Sequence, residues 1–230
     1  AHIDPWSTVF KTLSLSGNNA KLYVETQAST AKGKGETRLV ARLLDAKGKA
    51  VAQKNLTTNT QGAASAQFDV ANAKAWSPEQ PHLYTLEINL YQGNKLVDRL
   101  RQRVGIRTIA VSKEHGFQLN GVSRKFKGVC LHHDLGPLGA AVNKAAIIRQ
   151  IRLMKDMGVD AIRTSHNMPS QMQMEVCDSM GMMVMAESFD AWKEAKVKNG
   201  YNLFYDTWWR KDLENLIRGH RNHPAIVMWS

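Results

Sequence analysis

Four short polar clusters stand along the second half of the chain, each at the end of an apolar run. His132-His133-Asp134 follows the run Phe126–Cys130, and Arg163-Thr164-Ser165-His166-Asn167 closes the run that begins at Val159. Glu187-Ser188-Phe189-Asp190 follows Met182–Ala186, and Trp229-Ser230 closes the run from Ala225. Imidazole, guanidinium and carboxylate groups hold hydroxyls, carry protons and stabilise developing charge. If the runs are neighbouring parallel strands, the groups at their ends converge on one face, which is where ligand sites lie in parallel α/β barrels. Trp192, in the loop after the third run, is the aromatic best placed to stack on a bound ring. Two plainer readings stand beside this one. His132-His133-Asp134 offers metal-ligand types, but adjacent side chains rarely bind one ion and no HExxH-like spacing accompanies them. Glu187 and Arg163 could form a structural ion pair across neighbouring strands.

These clusters need elements to position them. Ile148, Ile151, Met154 and Met157 recur at helical spacing over Ala145–Met157, with Gly158 as a cap. Pro169–Met180 reads as a helix with Pro in its first turn and Gly181 past its end. Met182–Ala186 is a continuous apolar run of parallel-strand type. Thr207–His220 reads as a third helix, with Trp208 and Trp209 packing in its first turn. The order is β-α-β-α-β-α-β, which implies parallel strands with right-handed crossovers. It spans residues 112–230, roughly half of the ~250 residues of an eight-stranded barrel. The methionines at 172, 174, 180, 182 and 183 read as core filling.

Residues 1–111 have a different grammar. Short apolar-rich runs at Leu22–Thr26, Thr37–Leu44, Ala64–Val70, Leu83–Tyr91 and Lys95–Thr108 are separated by turn signals such as Asp45-Ala46-Lys47-Gly48 and Gly93-Asn94. About seven strands in this space fit an immunoglobulin-like β-sandwich without a bridging disulfide. Asn120-Gly121 marks a further hairpin beyond it.

Composition narrows the class. The 230 residues are 43% hydrophobic and 22% charged, an ordinary globular balance. No run approaches the ~18 apolar residues of a membrane span. The net charge of +11 raises the question of nucleic acid. Residues 1–111 hold 15 Lys and Arg against 8 Asp and Glu, and residues 112–230 hold 16 against 12. The excess is spread out, as at Arg99, Arg101 and Arg103, and reads as a solvated strand face rather than a nucleic-acid surface. Cys130 and Cys177 read as two unpaired, mostly buried thiols. No export signal opens the chain, which decides nothing about location, although a periplasmic or extracellular parent is favoured.

Several segments resemble glycoside hydrolase family 2. Trp76-Ser77-Pro78-Glu79 through Leu83-Tyr84 and Val104–Ile109 are similar to parts of the family's second immunoglobulin-like domain, and Phe117–Gly121 to the hairpin entering the barrel. Lys127–Asp134 is similar to the first barrel strand, where the family usually has Asn-Arg in place of Cys130-Leu131. Ile162–His166 and Asn222-His223-Pro224 through Trp229-Ser230 complete the set. The resemblance implies a sandwich followed by the first four strands of a TIM (β/α)8 barrel, within a retaining, exo-acting hydrolase of terminal β-galactosides. It implies that His132, Arg163 and His166 line the sugar subsite and that Glu187 and Asp190 lie on the loop shaping the same pocket; with Trp192, read above as the stacking ring, these are the candidate substrate-binding residues. It also implies that the acid/base Glu follows Ser230 in a Gly-Asn-Glu, so that this chain holds no catalytic carboxylate. The departure at Cys130-Leu131, with Gly136–Ala140, points to the β-galactosidase-like branch.

No cofactor, metal, nucleic acid or membrane insertion is expected, and an open half-barrel is expected to self-associate. β-Glucuronidase and β-mannosidase of the same family remain alternatives. A non-catalytic carbohydrate-binding or interaction module is another, which the residues encoded after Ser230 would discriminate. A nucleotide-binding domain ranks last because no Gly-rich loop follows any strand.

Overall fold

Alternating apolar residues build the first of two compact units, Ala1–Arg124. The structure, a computed structural model, describes residues 1–29, 37–58 and 63–230. In chain order the strands are β1 (His2–Ser16), β2 (Asn19–Ser29), β3 (Thr37–Leu44), β4 (Ala50–Asn55), β5 (Thr57–Thr58), β6 (Ala63–Val70), β7 (Tyr84–Gln92) and β8 (Lys95–Val104). Antiparallel pairing sets them in two four-stranded sheets, β1-β2-β6-β5 and β4-β3-β7-β8. Leu22 and Val24 of one sheet meet Leu43, Leu86, Ile88 and Leu90 of the other in a single buried core. Each such side chain contributes roughly 1.5–3 kcal/mol through burial. This is the β-sandwich that the strand spacing implies. β1 and β4 escaped the sequence reading. β1 carries Pro5 and few core residues, and its pairing with β2 is irregular between Asp4 and Val9, as befits a sheet edge.

β7 corrects a second expectation. Its alternation suggests one wet face, yet Glu87 and Asn89 on that face are as buried as Leu86 and Ile88 on the other. The three strands β3, β7 and β8 bring Arg42, Arg99 and Arg101 around Glu87. Arg42 Nη1 lies 2.8 Å and Arg101 Nη2 2.6 Å from its carboxylate oxygens, while Arg99 Nε donates to Asn89 Oδ1 at 2.8 Å. The Arg alternation is therefore no simple solvated face, because the Arg stems cover the acid while their heads reach water. Burial alone would raise the Glu87 pKa. The hydrogen bonds from Arg101, Asn89 and Arg42 outweigh it and hold the carboxyl at about 2.

β9 (Ile109–Ser112), β10 (Gly116–Leu119) and β11 (Val122–Ser123) form a small antiparallel sheet. Asn120 and Gly121, both at positive φ, make its Asn-Gly hairpin. Arg124 closes the unit with a two-pronged pair to Glu79. The compact unit thus ends at Arg124, and the domain change expected at 111/112 falls inside this sheet.

The second unit, Lys125–Ser230, alternates β12 (Gly128–His132), α1 (Lys144–Asp156), β13 (Ala161–Ser165), α2 (Gln171–Met180), β14 (Met183–Ala186), α3 (Tyr205–His220) and β15 (Ile226–Trp229). The strands pair in parallel in the order β12-β13-β14-β15, as the alternation implies. Asn143 caps α1 by accepting from the Ala146 N–H at 3.0 Å, and Ser170 caps α2 by accepting from the Gln173 N–H at 3.2 Å. Pro169 therefore precedes the cap instead of entering the first turn. Gly181, at φ 70°, ends α2 in the left-handed conformation that glycine tolerates. Met182, Met183, Val184 and Ala186 are fully buried, as a parallel strand covered on its faces requires.

Some packing expectations fail. Ile147 and Ile151 are the buried residues of α1, whereas Met157 stands 74% exposed just past the last helical turn. Trp208 and Trp209 are half-exposed at the start of α3, with Lys211 Nζ 4.6 Å over the Trp208 ring. Cys177 is buried, but Cys130 is exposed because strand alternation turns it away from the helices. No helix among the described residues is long and apolar enough to cross a membrane.

Candidate functional site

Register decides which side chains meet. Cys130, Arg163, Met185 and Met228 are successive partners across the four strands and form one rung. Two residues further along, and hence on the same face, come His132 and its partner Ser165, then Glu187 just past β14. The Ser165–His166 peptide is cis. The polar residues after successive strands thus share the carboxyl-terminal edge of the parallel sheet, where such sheets bind ligands.

Glu187 is the hub. Its backbone N–H donates to Thr164 Oγ1 at 3.0 Å, which ties the loop after β14 to β13. Its side chain is only 9% exposed, and its carboxylate accepts from Arg163 Nη2 at 2.7 Å and faces His166 Nδ1 with both oxygens at 3.2 and 3.3 Å. His166 Nε2 points the other way, 3.9 Å from Asp190 Oδ1, and the His132 ring meets the His166 ring edge-on at 5.2 Å. Glu187 raises the Arg163 pKa above its usual value, so this guanidinium remains charged. Lys196 donates to Asp190 at 2.8 Å and lowers the Asp190 pKa.

Five of the six candidate residues, His132, Arg163, His166, Glu187 and Asp190, are brought together. Trp192 stands with a different group. Its ring lies 6.1 Å from Phe189 and 6.4 Å from Tyr205. The ion pair between Arg163 and Glu187, weighed above as purely structural, exists, and it shares its carboxylate with His166. Among the described residues no three His, Cys, Asp or Glu side chains are arranged to share a metal ion. Instead the acidic groups face Arg163, His166 and Lys196.

Two neighbours escaped the sequence reading. Lys196 lies six residues beyond Asp190 in an irregular loop and carries no periodic signal. Cys130 sits on the site's face, with Arg163 Nη1 3.9 Å from its sulfur, and Ser165 followed by Arg163 lowers its thiol pKa. Its position two before His132 was the available signal.

A buried clamp sets the fourth strand. Asp178 of α2 faces His223 Nδ1 at 2.5 Å with one oxygen and accepts from the Ala225 N–H at 2.9 Å with the other. Gln171 Nε2 lies 2.8 Å from His223 Nε2. His220 packs against His223, and burial, followed by that neighbour, pushes its pKa down to about 4.

A β-sandwich followed by parallel β/α units, with an ionic cluster at the carboxyl-terminal strand ends, has the element order and site placement of the β/α-barrel class. The family models agree with this organisation along the whole chain. Residues 1–107 match glycosyl hydrolases family 2, and residues 109–230 match the TIM barrel domain of glycosyl hydrolases family 2. The chain belongs to glycosyl hydrolase family 2. It is 38% identical to the β-galactosidase BoGH2A of Bacteroides ovatus, over all of this chain and 28% of that protein. It is 36% identical to a putative β-glucuronidase of Formosa agariphila, over all of this chain and 22% of that protein. A crystal structure of a family 2 member from Bacteroides cellulosilyticus superposes with a TM-score of 0.92 at 36% identity, covering 99% of this chain and 30% of that one. The chain thus spans about a quarter of the length of these curated relatives.

Proposed function

We propose that the chain is the supporting sandwich and first barrel strands of a retaining, exo-acting glycosidase that removes terminal β-galactosyl residues in carbohydrate metabolism. One observation favours a neutral sugar over a uronic acid. The two cations at the cluster, Arg163 and Lys196, each already face a carboxylate, Glu187 and Asp190. An incoming uronate would meet two acids with no unpaired cation among these groups to receive it. A galactose hydroxyl fits better, because His166 Nε2 and Asp190 present one nitrogen and one carboxylate to it. In this reading Glu187 and Arg163 orient His166, and His132 lines the same subsite. Trp192 offers a ring face at its margin.

The relatives named for glucuronides keep a second reading alive, and a β-mannosidase belongs to the same group of alternatives. In the retaining mechanism an acid protonates the leaving oxygen while a carboxylate ~5–5.5 Å away forms the glycosyl-enzyme. We assign neither role to a residue of this chain, so the chain alone should turn over no glycoside. Proton NMR of the whole protein acting on a chromogenic β-galactoside tests the proposal. β-Galactose as the first-formed anomer supports it, and α-galactose first would refute retention. Turnover by the purified chain, unaffected by Glu187→Gln, would mean that other residues of this chain supply both roles.

A further inference from the structure

The sheet β4-β3-β7-β8 turns Leu39, Ala41, Leu43, Leu86, Ile88 and Leu90 inward to the sandwich core. The alternate residues of β3, β7 and β8 form its outer face. Arg38 stands opposite Tyr91 and Arg42 opposite Glu87, while Arg99, Arg101 and Arg103 stand opposite Asn89, Glu87 and Thr85. Five guanidiniums thus share a face with one carboxylate. Asp98, the other acid of these strands, pairs with inward-facing Leu90 and accepts from the Ile3 N–H at 2.7 Å. The outer face is left with four positive charges.

These guanidiniums are held as well as gathered. Arg101 Nε donates to Glu87 Oε2 at 2.8 Å, and Arg42 Nη1 to Oε1 at 2.8 Å. Arg99 Nε is spent on Asn89, and Arg38 Cζ lies 4.5 Å over the Tyr91 ring. Each guanidinium carries five N–H donors, so these contacts leave most of each fork unused. Arg38, Arg99, Arg101 and Arg103 are exposed, and Arg42 is half-buried. Along a strand alternate residues recur about every 7 Å, and neighbouring strands lie about 4.8 Å apart. Planar forks fixed on such a grid match carboxylate or sulfate groups two N–H donors at a time. Like charges held this close also repel one another, and a bound anion relieves that repulsion.

The grid suits a polymer, because its charges repeat along the strand and across it. A single-stranded nucleic acid would need open rings for its bases to stack on. Tyr91 has one ring face under Arg38, and no other aromatic of these four strands shares its parity. The chain belongs to a family of glycosyl hydrolases, so glycans are the polymers it meets.

We propose that the outer face of this sheet, through Arg38, Arg42, Arg99, Arg101 and Arg103, binds an anionic polysaccharide by its carboxylate or sulfate groups. The supporting sandwich then holds the charged part of a glycan independently of the strand-end site. The binding requires no particular sugar at His166, so it can fail while the galactoside proposal stands, and the reverse.

Calorimetric titration of the purified chain with heparin, a sulfated chain, and polygalacturonate, a carboxylated one, tests the face against uncharged dextran. At least one polyanion should bind, more weakly as salt rises, and dextran should be silent. The tighter of the two names the anionic group. Arg38→Gln with Arg103→Gln leaves the partners of Glu87 in place and should weaken binding at least about 10-fold, the scale of one charge-assisted hydrogen bond. Lys11→Gln with Lys21→Gln removes the same charge from the other sheet and should leave affinity nearly unchanged. Thermal unfolding of both double variants should match the parent. Arg103→Gln alone should also weaken binding, which repeats the test without disturbing Tyr91. Equal loss in the two double variants would reduce the effect to net charge and overturn the proposal. Silence with both polyanions, or equal affinity for dextran, would do the same. Tighter binding of a single-stranded oligonucleotide through the same arginines would make the face a nucleic-acid surface instead.

Discussion

Glu187 shows how one buried carboxylate can organise several candidate residues. Arg163 supplies its charge partner and His166 takes its orientation from it, so removing either partner leaves a buried charge partly uncompensated. In the whole protein, Arg163→Ala or His166→Ala should lower kcat/KM for a β-galactoside by at least ~100-fold, the scale of a transition-state hydrogen bond lost. Far-UV circular dichroism should be unchanged, and near-parental kinetics in both variants would make these residues purely structural. The residues of this cluster were legible because residue type and strand phase both point to them. Arg163 and His166 follow one apolar run, Glu187 and Asp190 the next. Lys196 was not legible, since a loop of irregular path has no period to read. Cys130 was misread because a thiol inside an apolar run suggests burial, whereas its parity with His132 places it on the site's face.

At the scale of elements, two buried charge networks make opposite units acid-sensitive in different windows. Glu87 is held at about 2 instead of the ordinary 4.5. A carboxyl depressed in the folded state stabilises above its unfolded pKa and loses that contribution as pH falls through the folded one. The sandwich should therefore lose ~3 kcal/mol between pH 4.5 and 2. Glu87→Gln should remove that pH dependence and cost the same ~3 kcal/mol at neutral pH, the contribution of the ionised carboxylate. Denaturant titration read by probes in the sandwich measures both, and an unchanged pH slope in the variant would contradict the network. His220 is likewise depressed, to about 4 from 6.5, so the second unit should lose stability as pH falls between those values. His220→Gln should flatten that window in hydrogen exchange of α3 and β15. The βαβ order was readable because helix and strand periods differ sharply. The burial of both faces of β7 was not, since alternation in sequence cannot reveal that three arginines from β3 and β8 cover its polar face.

At the scale of the whole molecule, the parallel sheet leaves β12 and β15 each with one described neighbour. An open, mostly apolar cleft is lined by residues of all four strands, among them Val129, Ile162, Arg163, Met185, Val227 and Met228. Unpaired strand edges and apolar clefts promote association. Light scattering on the purified chain at micromolar concentration should therefore show dimers or larger species, and a clean monomer without dye-accessible apolar surface would contradict this expectation. The sandwich was legible as a class from strand spacing, while its edge strands β1 and β4, short of core residues, were not. Choice of sugar is the claim on which the functional account turns, and it depends on charge at the strand ends. Parallel kcat/KM measurements on chromogenic β-galactoside and β-glucuronide, using the whole protein, test it most directly. The galactoside should be preferred by at least about 100-fold, a preference that collapses in His166→Ala. Equal or greater efficiency on the glucuronide would contradict it.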